Sequence, residues 1–129
     1  MNFLACDLGG TKIILGIFQE NDNTDSPSLI FKKKYISSEW DSIEMIVEDF
    51  LKNECKIITH PFSACFAVAG PISNNNAKII NLSWNISGDR LKNKFKFKSC
   101  ELVNDFAVQI YGIPFLKKSQ YSTIQNGDN

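Results

Sequence analysis

The sequence predicts an α/β domain with a mixed β-sheet, and three observations carry that expectation. Two short apolar runs, 3–8 and 13–18, flank Gly9 and Gly10, and a third, imperfectly alternating run follows over 29–36; this is the pattern of three antiparallel strands. Ile43, Ile46, Val47, Phe50 and Leu51 recur at the spacing of one helical face. The run 62–69 is apolar almost throughout, which marks a strand buried on both faces and therefore an interior place in a sheet covered by crossover helices.

Each element has a local reason. Gly9-Gly10 breaks the first apolar run and folds it back as a hairpin. Residues 21–28 are polar, turn-rich and contain Pro27, so they connect the second strand to the third. Asp41 and Glu44 stand as a capping pair at the start of a helix expected to run to about Cys55. Gly70 and Pro71 end the buried strand. A turn at Asn74-Asn75-Asn76 leads into a further extended piece over 78–84, and Ser87 caps a short helix containing Leu91 and Phe95. Residues 100–103 read as a short strand. Asp105 then opens a helix carrying Phe106, Val108, Ile110 and Tyr111, which stops at Gly112 and Pro114. Residues 119–129 are polar and expected to be loose. No repeat, low-complexity tract or linker divides the chain, so a single lobe over 1–118 with a tail is expected.

Composition excludes several classes of function. The 129 residues contain 43% hydrophobic side chains and ten phenylalanines, enough apolar material for a core. Lys plus Arg and Asp plus Glu are equal at 14 each, so no net field draws the chain to nucleic acid or to an anionic membrane. The four cysteines, Cys6, Cys55, Cys65 and Cys100, form no Cys-x-x-Cys pair, and His60 is the one histidine, which argues against a zinc site. Cys6 and Cys65 lie in apolar runs as small hydrophobes, which suits a reducing compartment. The start carries no basic leader and its apolar run is too short for a signal peptide or a membrane span, so the cytoplasm is expected.

Two places hold residues suited to chemistry. Asp7-Leu8-Gly9-Gly10-Thr11 puts a carboxylate at a strand end, then two glycines whose backbone can approach a ligand, then a hydroxyl. Successive amides in such a turn can cradle phosphate oxygens, yet Gly-Gly is also an ordinary hairpin connection, and the motif alone leaves both readings open. It is neither a P-loop, lacking Gly-Lys-Ser/Thr, nor a dinucleotide fingerprint, since a hairpin and not a helix follows. Asn104-Asp105 sits where a strand passes into a helix, at the carboxyl edge of the sheet where open α/β folds take their ligands. A helix amino terminus keeps the aspartate ionised as a weak base, sufficient for phosphoryl transfer; Asn and Asp are equally common as plain helix caps, and that reading also stands. Lys94-Phe95-Lys96-Phe97-Lys98 reads as a half-buried edge segment rather than a nucleic-acid surface, Lys32-Lys33-Lys34 as solvated strand surface and His60 as a loop residue.

In order, Asp7-Leu8-Gly9-Gly10-Thr11-Lys12, Phe66-Ala67-Val68-Ala69-Gly70-Pro71, Asn81-Leu82-Ser83-Trp84, Leu102-Val103-Asn104-Asp105-Phe106-Ala107 and Tyr111-Gly112-Ile113-Pro114 resemble the bacterial glucokinase family over nearly the whole chain. The resemblance implies the ribonuclease H-like, actin-like ATPase fold of two lobes. This chain would be the amino-terminal lobe, a mixed five-stranded sheet with its first three strands antiparallel and helices on both faces. It implies phosphorylation of glucose by ATP with Mg2+, as the first step of glycolysis. Asp7, Gly9, Gly10 and Thr11 would line the nucleotide phosphates, with Asp7 at the magnesium; Asn104 would hold a sugar hydroxyl, Asp105 would be the catalytic base on the glucose 6-hydroxyl, and Gly70 and Pro71 would shape the cleft wall. No nucleic-acid or membrane partner is implied, and a homodimer is one assembly open to the full-length form. The family's second lobe has no counterpart before Asn129, so the chain alone is expected to have little or no kinase activity. Two rival readings are a non-catalytic sugar-sensing or partner-binding module on the same lobe, and a chaperone-like or filament ATPase. The motifs around Asn81 and Asn104 count against the second.

Overall fold

The computed structural model describes residues 2–23, 26–54, 61 and 63–104, with the side chain of Glu54 excepted. Strands β1 (Asn2–Leu8), β2 (Lys12–Gln19) and β3 (Ser28–Ile36) form the antiparallel meander expected from the three apolar runs. Helix α1 (Ile43–Asp49) follows, and then β4 (Ser63–Val68) enters parallel to β1. A second, smaller antiparallel sheet of β5 (Ile72–Ser73), β6 (Asn76–Ile79) and β7 (Trp84–Ser87) precedes helix α2 (Gly88–Phe95). Strand β8 (Ser99–Asn104) closes the main sheet parallel to β4, giving the order β3-β2-β1-β4-β8.

Cross-strand register explains where the core sits. Leu4, Cys6 and Leu8 of β1 stand opposite Ile17, Leu15 and Ile13 of β2 and beside Ala64, Phe66 and Val68 of β4. Cys100 and Leu102 of β8 continue the rows. All of these are buried, and they form one cluster with Ile43, Ile46 and Val47 of α1 and with Phe50. Every one of those four helical side chains is fully covered, a burial that contributes roughly 1.5–3 kcal/mol per side chain. Trp84, Ile86, Leu91, Phe95 and Phe97 extend the same core beneath the small sheet and α2. The opposite face of the main sheet is half-buried, with Phe3 stacked on its cross-strand partner Phe18 at 5.6 Å.

Several expectations need correction. The helix beginning near Asp41 is capped by Ser42, whose hydroxyl accepts from the Met45 amide, so Asp41 and Glu44 do not form a capping box. Its α-helical part ends at Asp49 and passes into a π-helical turn, Phe50–Glu54. The extended piece over 78–84 is not one strand. Asn74 and Asn75 both adopt positive φ, 52° and 59°, which is what a two-residue type I′ hairpin turn requires, and they fold β5 onto β6. Residues Ile80–Leu82 then form a short 3-10 turn ended by Ser83 at φ 56°, which separates β6 from β7.

The Lys-Phe alternation over 94–98 is also not an edge segment. Ser87 caps α2 as expected, accepting from the Arg90 amide, and the helix runs to Phe95. Lys96 takes the left-handed conformation and the Phe97 amide returns to the Lys92 carbonyl at 3.1 Å, a Schellman closure that buries Phe95 and Phe97 and leaves the lysines outside. The helix expected from Asp105, and the expected boundary between a lobe over 1–118 and a tail over 119–129, lie outside the described residues.

Candidate functional site

Three of the main-sheet strands run parallel, β1, β4 and β8, and their carboxyl ends are level. Leu8 pairs with Val68 and Val68 with Asn104, so whatever follows these residues emerges along one rim. After β1 comes the turn of Gly9, Gly10 and Thr11; after β4 come Gly70 and Pro71; Asn104 is the last residue of β8. Asp7, one residue short of the end of β1, is exposed. The predicted site residues Asp7, Gly9, Gly10, Thr11, Gly70, Pro71 and Asn104 therefore share one edge of the sheet. Asp105 lies outside the described residues.

The glycine turn is built tightly. The Gly9 amide donates to the Lys12 carbonyl at 3.1 Å, and a Cβ on Gly9 would sit 2.9 Å from that same oxygen, so no larger residue fits without displacing backbone. Behind the turn lies Ser37, a buried side chain that sequence reasoning did not single out. Its hydroxyl is shared between the carbonyls of Gly10 at 2.9 Å and Thr11 at 3.0 Å, and its amide donates to the Thr11 carbonyl at 3.0 Å. Because a trans peptide sets N–H opposite C=O, tying the Gly10 carbonyl back to Ser37 turns the Thr11 amide outward. In front, the Asn81 carboxamide comes within 3.6 Å of where a Gly10 Cβ would lie. No signal in the sequence ties Ser37 to the turn, whereas Asn81 belongs to the Asn-Leu-Ser-Trp motif.

At the carboxyl end of β8, the Asn104 side chain donates to the Gly70 carbonyl at 3.0 Å, which sets the plane of its amide. Gly70 has φ 128°, a conformation that L side chains rarely adopt. Burial, with Asp7 adding a smaller effect, pushes the Cys6 thiol well above its ordinary value, and burial pushes Cys100 up to about 12, so both are neutral packing groups. Among the described residues no cluster of three or more His, Cys, Asp or Glu is placed to hold a metal. Asp7 is exposed near the end of β1 and Thr11 is exposed in the turn that follows, and a carboxylate and a hydroxyl are hard oxygen ligands of the kind that serves Mg2+ when substrate phosphates complete its shell. No helix among the described residues is long and apolar enough to cross a membrane.

Comparison with known proteins gives the family. The glucokinase family profile matches residues 4–129. A glucokinase of Synechocystis sp. is 35% identical over 131 residues, covering 97% of this chain and 37% of the relative. One from Trichormus variabilis is 38% identical over 124 residues, covering 96% and 36% respectively. The crystal structure of a glucokinase from an Antarctic psychrotroph superposes with a TM-score of 0.83 at 28% identity, over 92% of this chain and 37% of that one. This chain thus spans a little over a third of the length of the relatives it matches. With the family profile covering nearly every residue and the fold of a solved glucokinase matched over most of the chain, this chain belongs to the glucokinase family.

Proposed function

We propose that the protein carrying this chain transfers the γ-phosphoryl group of ATP to glucose, and that this chain supplies the phosphate turn and the sugar-side base. The observation that supports the reading most is the level register of Leu8, Val68 and Asn104, which brings the glycine turn, Gly70-Pro71 and Asn104 to one edge. In this reading the outward Thr11 amide and the hydroxyl of Thr11 bind phosphate oxygens, and Gly9 and Gly10 let them approach the backbone. Asp7 would hold Mg2+ together with those phosphates, and the bound ion neutralises their charge. Asn104, its amide plane held by Gly70, would orient a sugar hydroxyl. Asp105, the next residue in the chain, would accept the proton of the attacking 6-hydroxyl.

Phosphoryl transfer asks for little proton chemistry and much positioning, so a weak carboxylate base suffices provided the hydroxyl is held in line. A cytoplasmic location, and a homodimer as one possible assembly, belong to the same proposal. In a full-length protein carrying this chain, Asp105→Ala is expected to lower kcat at least ~100-fold while glucose affinity, measured by calorimetry, stays within a few-fold of wild type. Retention of kcat would remove Asp105 as the base. Absence of ATP-dependent glucose phosphorylation by the unaltered full-length protein would favour a non-catalytic sugar-binding module instead.

A further inference from the structure

The side-chain amide of Asn75 occupies an unusual position. Its Oδ1 accepts from the Leu102 amide at 2.8 Å and its Nδ2 donates to the Cys100 carbonyl at 2.9 Å. Accepting from residue i+1 and donating to residue i−1 of a strand is how a backbone amide pairs in a parallel ladder, here about Glu101. The Asn75 carboxamide therefore stands in for one residue of a further strand on the outer edge of β8. Its backbone is held as well: the Gly88 amide donates to the Asn75 carbonyl at 2.9 Å, and a Cβ on Gly88 would lie only 2.0 Å from Asn75 Nδ2. The amide is clamped between the start of α2 and the edge of β8, in a turn whose left-handed backbone asparagine tolerates well.

A second tie joins the segment leading into the β5–β6 hairpin to β8. It is the Asn104 bond to Gly70. Residues 70 to 75 thus run alongside 104 to 101, tied at the base of the hairpin by Gly70 and Asn104 and at its tip by Asn75. With the tip secured, the distance between Gly70 and the end of β8 is set, and with it the plane of the Asn104 amide. We propose that Asn75 is a positioning residue for Asn104 and, through it, for sugar binding; the sugar part rests on the function proposed above.

The test is NMR of the isotopically labelled 129-residue chain and of its Asn75→Ala, Asn75→Asp and Gly88→Ala variants, each titrated with glucose. In Asn75→Ala the Leu102 amide is expected to exchange with solvent about tenfold faster and the Asn104 side-chain amide signals to shift. Amides of the β1–β2 hairpin should keep wild-type exchange, which separates this change from general loosening. Asn75→Asp keeps the acceptor for Leu102 but lacks the donor for Cys100, and should lie between Asn75→Ala and wild type. Gly88→Ala keeps the Asn75 carboxamide but forces it to shift, and should move the same signals. Glucose affinity should fall in step with the displacement of the Asn104 signals. Unmoved Asn104 signals in variants whose Leu102 amide has become labile would overturn the proposal. Unfolding of all three variants would also overturn it, making Asn75 a residue of folding alone. A wild-type chain that gives no glucose response removes the sugar reading by itself, while the Asn104 signals still decide whether Asn75 positions that side chain.

Discussion

At the scale of single residues, the glycine turn shows how an exposed backbone turn is held from behind. Gly9 is required by space, because a Cβ there would lie 2.9 Å from the Lys12 carbonyl oxygen. Ser37 is required by hydrogen bonding, since it is buried and gathers two carbonyls of the turn. Ser37→Ala leaves the Gly10 carbonyl without that hydroxyl but keeps the backbone bond to Thr11, so the loss should be partial. We expect about 1 kcal/mol of stability to be lost in denaturant melts and, in a full-length protein, the apparent KM for ATP to rise several-fold. An unchanged KM would separate Ser37 from phosphate binding. The Ser37 pairing could not be read from the sequence, because 26 residues and two strands separate it from Thr11 and no local pattern announces it.

At the scale of elements, α1 is attached to the sheet through Asp49 as well as through its apolar face. The Asp49 carboxylate accepts from the Tyr35 hydroxyl at 2.7 Å and from the Asn53 amide at 2.7 Å, and pairs with Lys33 at 3.4 Å. These contacts, Tyr35 first, hold its pKa below the ordinary aspartate value. A carboxyl lowered on folding stabilises the native state above its unfolded pKa, and that stabilisation is lost as pH falls through the folded one. Asp49→Asn is therefore expected to lower the melting temperature by a few degrees at pH 7. The gap to wild type should narrow on acidification below pH ~4. A gap that persists unchanged at acid pH would mean that the amide fails for steric reasons and not for want of charge. The α1 periodicity was plain in the sequence, whereas its true cap, Ser42, was masked by the equally plausible Asp41. Both are good capping residues, and only the backbone conformation distinguishes them.

At the scale of the molecule, the chain places its described candidate residues, Asp7 to Asn104, along one edge of one sheet and spans a little over a third of the length of its relatives. Phosphoryl transfer depends on excluding water and aligning a hydroxyl with the γ-phosphate, and a single edge leaves a substrate open to solvent on its other side. The isolated 129-residue chain is accordingly expected to turn over glucose at least ~100-fold more slowly than a full-length protein carrying it. A coupled assay on purified chain measures this; comparable rates would mean that the edge alone suffices.

The strands of the main sheet and the first helix could be read from local chemistry, and the family from the resemblance of spaced motifs. Apolar periodicity marks buried faces, Gly9-Gly10 and Gly70-Pro71 mark breaks, and the spaced motifs from Asp7 to Asn104 mark the glucokinase pattern. What emerged only on folding was the pairing of distant groups. Ser37 behind Gly10, Asn75 along the edge of β8, and Asn104 against Gly70 join residues 25 to 34 apart. The level ends of β1, β4 and β8 likewise follow from register. Periodicity tells which face of a strand is buried, but it does not tell which strand lies beside it or how far along, because that is settled by packing among elements remote in the chain.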